Sequence, residues 1–423
     1  MELNSSMSIG FLVKQLAESG ITDIEVIAEK LDDLKQLQNR EGVWSYDRFT
    51  EHGSATAAKV ITEATRVGQD CILWSLNHYL GLNRHPRVLE KVKSAVDKYG
   101  TGCGTSAVSG GMSSLHKEIE RRIANMLGKE KALLYPTGYT ANLGAIASLV
   151  GKKDLILFDH ESHASIIDGS RLSKKDWLAF RHNDVEDLER KLVRMIPKYE
   201  NIFVVVESAY SMSGDLAPLR EITALKRKYK FLLYVDEAHS FGFYGPKGQG
   251  YCHEQGVIDD VDFIMSTLSK STASIGGFIA TKRKFCTLMQ VHANAYLFQA
   301  CLSPVDAAAV LAALDEIEGT PAIRESLHEK TAYFREKLLD AGFDLGHSRS
   351  PIIPIYVPDL AKLFSFSREL YEKGVFSVAV AYPAVKLTEG RMRFIVNASH
   401  TMEQIDRTLS ILKELGRKYG IIP

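Results

Sequence analysis

No run in this chain of 423 residues approaches the roughly 20 consecutive apolar residues that crossing a bilayer requires. Cysteine is scarce and odd in number: Cys71, Cys103, Cys252, Cys286 and Cys301, with no C-x-x-C pair among them. Neither a disulfide framework nor a zinc site is expected, and a reducing cytoplasm is the expected setting. No charge of one sign prevails. Lys+Arg and Asp+Glu number 52 each, so no basic field draws nucleic acid and no acidic tail marks a solvating segment. Internal repeats and low-complexity tracts are missing too. The start of the chain, Met1 to Gly10, is polar and its first lysine is Lys14, which does not resemble a secretory signal.

The length itself exceeds one ordinary domain. The expected division is an N-terminal segment over residues 1–83, a large domain over 84–305 and a smaller C-terminal domain over 306–423. Residues from about Ile9 to Leu37 read as an amphipathic helix broken at Gly20. Such an arm packs on a partner subunit or lies on a membrane surface; its polar face is not dominated by lysine, which favours packing. Cys71–Leu76 reads as a short strand, and His85-Pro86 starts a helix running to about Lys98. Past residue 304 come two long helices separated by Gly319-Thr320-Pro321. Strands at Ile352–Val357 and Met392–Val396 and a closing helix at Met402–Tyr419 then make up a small α+β unit.

Between Asp154 and Ala280 the pattern is different. Apolar runs at Leu155–Phe158, Trp177–Phe180, Ile202–Val206, Phe231–Val235, Phe263–Met265 and Phe278–Ala280 alternate with amphipathic stretches. Continuous apolar strands separated by helices predict an α/β fold with a mostly parallel sheet covered on both faces. Sites on such sheets lie beyond the carboxyl ends of the strands. Four runs lead into polar residues: His163, Ser211, the pair Asp236 and His239, and Lys270. A buried ammonium is costly unless it has a task, and Schiff-base chemistry is one such task for a lysine. A carboxylate such as Asp236 is ordinarily a helix cap or a metal ligand. It can also face a protonated pyridine nitrogen and keep that ring an electron sink. Metal binding has little support, although Asp159-His160 leaves it open. A phosphate group would need backbone N–H groups at a helix start; Thr137-Gly138-Tyr139 supplies one, and Thr267 offers a hydroxyl. Gly102-Cys103-Gly104 follows a helix and is not G-x-G-x-x-G, so a dinucleotide loop is weakly supported.

Six segments together resemble one family: Asn77-His78-Tyr79-Leu80-Gly81-Leu82, Thr137–Asn142, Ser162–Gly169, Ser211–Asp215, Asp236–Ser240 and Ser269-Lys270-Ser271. They are similar, in order and spacing, to the motifs of the α-oxoamine synthases, pyridoxal-phosphate (PLP) enzymes of fold type I. These condense an amino acid with an acyl thioester and release the amino acid's carboxylate as CO₂. The resemblance implies that Lys270 holds PLP and shuttles the Cα proton, and that Asp236 pairs with the pyridine nitrogen. It places His163 on the ring face, Ser211 and His239 near the phenolic oxygen, and Gly138, Tyr139 and Thr267 at the phosphate. Asn77 and Arg393 would hold the substrate carboxylate, a task that suits a planar guanidinium. For Arg393 the residues alone favour a strand-end salt bridge.

Within the family, Cys71–Asn77, Lys270–Phe278 and Asn397–Thr401 look most like bacterial serine palmitoyltransferases, which join L-serine to palmitoyl-CoA. Relatives using glycine or alanine with other acyl thioesters, such as 8-amino-7-oxononanoate synthase and 2-amino-3-ketobutyrate CoA ligase, share the catalytic set. A homodimer is implied, with acyl-CoA or an acyl carrier protein as the thioester carrier. Three departures stand out. Ala381 occupies a position where many members carry arginine, the Gly104–Gly110 loop lacks an arginine, and Gln299–Pro304 has alanine and cysteine where hydroxyls are common. An aminotransferase and a non-catalytic partner subunit are the rival readings.

Overall fold

The computed structural model describes residues 3–44 and 46–423, so Met1, Glu2 and Ser45 of the predicted N-terminal segment lie outside the described residues. Two compact units emerge. One holds the chain up to Leu76, Met212–Gly214 and Leu327–Pro423; the other holds Asn77–Ser211 and Asp215–Ser326. No helix among the described residues is long and apolar enough to cross a membrane.

Strands are numbered along the chain. In the first unit, β1 (Arg48–Thr50), β2 (Ala57–Thr62) and β3 (Gly68–Leu73) form antiparallel pairs. The predicted Cys71–Leu76 strand thus begins earlier and stops at Leu73. Its first half, Gly68-Gln69-Asp70, is polar and largely exposed, so only the buried second half shows in the apolar pattern.

The second unit is built on seven strands: β4 (Lys131–Tyr135), β5 (Asp154–Asp159), β6 (Asp176–Phe180), β7 (Asn201–Glu207), β8 (Leu232–Asp236), β9 (Phe263–Thr267) and β10 (Gly277–Thr281). Their order is β4-β10-β9-β8-β7-β5-β6. β5 to β9 run parallel, and β10 is antiparallel to both neighbours. This is the mostly parallel α/β sheet that the alternating runs predict. Both faces of β5, β7, β8 and β9 are buried, as parallel sheets require, while the edge strand β6 is largely exposed. Leu155, Leu157, Val204, Val206, Leu233 and Val235 belong to one core, while Ile156, Phe158, Phe203, Val205, Tyr234 and Met265 belong to the other. The strand period of two therefore turns the last residues Glu207, Asp236 and Thr267 toward the second core's face. That face carries the helices Gly138–Leu149 and Ala164–Ser173, which meet closely at Gly169, where a Cβ would lie 3.1 Å from the Asn142 carbonyl oxygen.

Later in the chain, β11 (Ile352–Tyr356), β14 (Arg391–Ile395) and β13 (Val378–Val380) make a three-stranded antiparallel sheet, and β12 (Val375–Phe376) pairs with β3. The N-terminal arm is two helices, Ile9–Glu18 and Ile24–Arg40, with Gly20 at φ +75° in the turn and Asp23 capping the second. They bury Leu12, Leu16 and Leu34 against each other.

Candidate active site

A cavity of about 330 Å³ opens at the carboxyl ends of β7, β8 and β9. Seven of the predicted site residues line it: Gly138, Tyr139, His163, Asp236, His239, Thr267 and Lys270. Asn77 and Ser211 belong to the same unit and are not among its lining residues. Ser211 follows β7 in a loop closed by the Tyr210 N–H on the Asp215 carbonyl. Arg393 lies in the other unit on the central strand β14, buried. Its neighbour Arg391 makes a strand-end ion pair with Glu389 at 3.0 Å and stacks over Tyr356.

Lys270 sits three residues past the end of β9, half-buried, on a loop rather than on the buried strand itself. The loop is closed by Leu268 N–H to the Gly276 carbonyl at 2.8 Å and by the Thr272 hydroxyl on the Leu268 carbonyl at 2.6 Å. Ala273 takes a positive φ of 51° in it, a strained conformation that the surrounding bonds hold. The glycine pair after this loop has a steric reason. A Cβ at Gly277 would lie 2.6 Å from the Cα of Gly138, and one at Gly138 would lie 2.7 Å from the Cβ of Thr267. The helix that starts at Gly138 is therefore seated directly on β9 and β10.

That helix start is built for an anion. The N–H groups of a first turn lack intrahelical acceptors. Thr137 caps the helix by accepting the Thr140 N–H at 3.1 Å, and Gly138 and Tyr139 supply the remaining first-turn donors beside the cavity. The Thr267 hydroxyl lies within hydrogen-bond reach of Ser269 at 2.8 Å and donates to the Gly276 carbonyl at 3.1 Å. A phosphate fits this cradle of backbone donors, hydroxyls and a dipole end.

Asp236 is 3% exposed. Its Oδ1 accepts the Ala238 N–H at 2.9 Å and its Oδ2 accepts Asn142 Nδ2 at 2.8 Å. Asn142 is oriented from both ends. Its Nδ2 also donates to Ser165 Oγ at 2.9 Å, and its Oδ1 accepts the buried Tyr234 hydroxyl at 2.7 Å. Burial holds the Tyr234 phenol well above its ordinary pKa, so it stays a donor. The network continues to His163, whose Nδ1 accepts the Ser165 N–H at 3.2 Å and lies 2.7 Å from Ser165 Oγ. Since a backbone N–H can only donate, Nδ1 is unprotonated and the neutral ring carries its proton on Nε2. Desolvation by the surrounding protein lowers the His163 pKa, against the pull of Asp236. His239 is held by the fully buried Tyr79, hydroxyl to Nδ1 at 2.6 Å.

Three residues in this arrangement were not singled out from the sequence: Asn142, Tyr79 and Glu207. Glu207 is the last residue of β7 and pairs in register with Asp236. The signal was there, since it ends its apolar run as directly as Asp236 ends the next. Asp159, weighed as a metal ligand, is already engaged by the N–H groups of Glu161 and Asn183 and by His182 Nδ1 at 2.9 Å. The two segments that depart from the family pattern adjoin, through a bridge between Ser106 and Ala300 and the Cys301 N–H on the Thr105 carbonyl at 3.1 Å.

Residues 69–412 match the family model of class I and II aminotransferases. The chain is 37% identical over 404 residues to the 8-amino-7-oxononanoate synthase of Thermoanaerobacter pseudethanolicus, spanning 96% of this chain and 100% of that one. To the serine palmitoyltransferase of Bacteroides ovatus it is 39% identical over 389 residues, spanning 92% and 97%. Among solved structures, the serine palmitoyltransferase of Sphingomonas wittichii superimposes with a TM-score of 0.89 at 32% identity, over 95% of this chain and 100% of that one.

Proposed function

The chain belongs to the α-oxoamine synthases, PLP-dependent acyltransferases of fold type I, and we propose that it joins L-serine to a long-chain acyl-CoA such as palmitoyl-CoA. The product is then an aminoketone of the 3-ketodihydrosphingosine type, the first committed compound of sphingolipid synthesis. The PLP chemistry is supported by the donor set of one cavity, a lysine, a buried carboxylate, a neutral histidine and a glycine-lined helix start, and the choice of serine by the likeness to serine palmitoyltransferases. Bound PLP supplies an electron sink for a carbanion at the amino-acid Cα.

The chain's own residues divide the remaining work. Gly138, Tyr139 and Thr267 hold the phosphate. Asp236, fixed by Asn142 and Ala238, holds the proton of the ring nitrogen. His163 would lie against the cofactor ring and orient the amino acid, and Ser211 and His239 would serve its phenolic oxygen. Lys270 would hold the cofactor through its amine, and the same amine would serve as the base that takes the amino-acid Cα proton and returns it. Asn77 and Arg393 hold the substrate carboxylate until it leaves as CO₂. We place the enzyme in the cytoplasm as a homodimer, with the N-terminal arm packing on the partner subunit or touching a membrane surface.

A second reading is the same chemistry with alanine or glycine and a different thioester, favoured by the 8-amino-7-oxononanoate synthase relative at nearly the same identity. The two separate in one experiment. Serine, glycine and alanine are titrated against the cofactor's absorbance, and CoA release is then measured with thioesters of graded chain length. A spectral change with serine and fastest release with long chains is expected. No response to serine rejects the first reading. Lys270→Ala should lose the cofactor that borohydride fixes in the wild type; fixation surviving in that variant rejects the lysine assignment.

A further inference from the structure

Two carboxyl groups share one wall of the cavity. Glu207 and Asp236 end neighbouring parallel strands in register, face the same way, and are each 3% exposed. Two anions so placed repel with little water to screen them, and their surroundings separate their roles. Asp236 receives two N–H donors, from Ala238 and from Asn142. Glu207 Oε1 accepts the backbone N–H of His163, the residue that starts the helix Ala164–Ser173. The charged groups around Glu207 are Asp236 on β8, Asp159 at the end of β5 and Lys270 on the loop after β9, with His163 in contact. Burial first, and then the charge of Asp236, hold the Glu207 carboxyl well above the usual carboxylate range, against the opposing pull of the His163 N–H and Lys270.

We propose that Glu207 works as a neutral carboxylic acid and as a positioning residue, anchoring the main chain of His163 while leaving Asp236 the single anion on this wall. The arrangement reserves Asp236 for a cationic partner and keeps a second negative charge from competing for it. It also ties the His163 ring, through its own backbone, to the strand next to the one that bears Asp236. The inference rests on the assignment of Asp236 to the ring nitrogen only for its consequence; the state of Glu207 can be read without cofactor.

The test compares Glu207→Gln with Glu207→Ala. Glutamine copies a protonated glutamate in shape and keeps the acceptor for the His163 N–H. E207Q should therefore bind PLP within about twofold of wild type, with the same pH midpoint of cofactor absorbance, whereas E207A should bind it about tenfold more weakly. A midpoint moved by about one unit or more in E207Q is the mark of a lost anion and overturns the proposal. So does an E207Q that fails to fold, because a neutral isostere of a neutral acid has no reason to. Infrared difference spectra of the apo-protein at neutral pH give a second reading. A protonated-carboxyl band that E207Q lacks supports the proposal, and no change between wild type and E207Q overturns it. This arm stands whatever Asp236 variants do to the cofactor, so the two assignments fail separately.

Discussion

Replacing Gly138 by alanine tests the seat of the phosphate cradle. A Cβ there would lie 2.7 Å from Thr267 Cβ, 2.9 Å from its Oγ1 and 3.2 Å from its Cα. Carbon atoms rest about 3.5–4.0 Å apart, so the overlap is roughly 1 Å. Thr267 cannot yield. It ends β9, pairs with Gly277 of β10, and its hydroxyl is bonded to the Gly276 carbonyl. The helix start must move instead. Alanine gains about 1 kcal/mol over glycine within a helix, while overpacking costs typically about 1–3 kcal/mol. The net loss of apo-protein stability should therefore be only about 0–2 kcal/mol. Binding should suffer more, because donors displaced by close to 1 Å no longer converge on the anion. We expect PLP affinity to fall by about 10- to 100-fold. Titration of PLP into apo-protein, followed by absorbance, measures the second effect, and denaturant unfolding without cofactor measures the first. Wild-type affinity in Gly138→Ala would refute the cradle; outright unfolding would refute the claim that the helix absorbs the overlap by moving.

Two other perturbations address what surrounds the cavity. Asn142→Leu keeps much of the volume but strips Asp236 of a donor and Tyr234 of its acceptor. Leaving such buried groups unpaired costs about 1–3 kcal/mol each, so the denaturation midpoint should drop clearly, and an unchanged midpoint refutes the network. His182 concerns pH. Burial lowers its pKa, but hydrogen bonds to Asp159 and Asp215 outweigh that and raise it to about 10 from an ordinary 6.5. A raised folded-state pKa means the stabilisation is complete below pH 6.5 and is lost as pH climbs toward 10. Wild-type unfolding free energy should decline across that window and His182→Gln should flatten the decline; equal slopes refute it.

What could be read beforehand follows the range of the interactions involved. The apolar runs of β5, β7, β8 and β9 declare themselves because each strand is buried on both faces and so carries its signal locally. β4 does not. Lys131-Ala132-Leu133-Leu134-Tyr135 is short and follows a helix after only four residues, and its partner β10 lies far along the chain. Asp236 and Thr267 were visible as polar ends of apolar strands. Asn142 was not, since a mid-helix asparagine gains meaning only from Asp236, Ser165 and Tyr234, which come from two other elements, β8 and the helix Ala164–Ser173. Tyr79 is likewise explained by a histidine 160 positions away. Lys270 reads from the sequence as an ammonium ending a buried strand, whereas its place is a loop beyond β9, and only the folded chain shows the bonds that hold that loop.

The pairing of β4 bears on how the protein is made. β4 is an edge strand, and its ladder neighbour β10 is synthesised roughly 140 residues later, which at ribosomal rates is a delay of about 7–30 s. Throughout that interval Ala132, Leu133 and Leu134 have no strand beside them, and the helix start at Gly138 has neither Thr267 nor Gly277 to sit on. The proposed cofactor cradle therefore cannot be complete on a nascent chain until about two thirds of the polypeptide has been made, which makes loading with PLP there a late event in biogenesis.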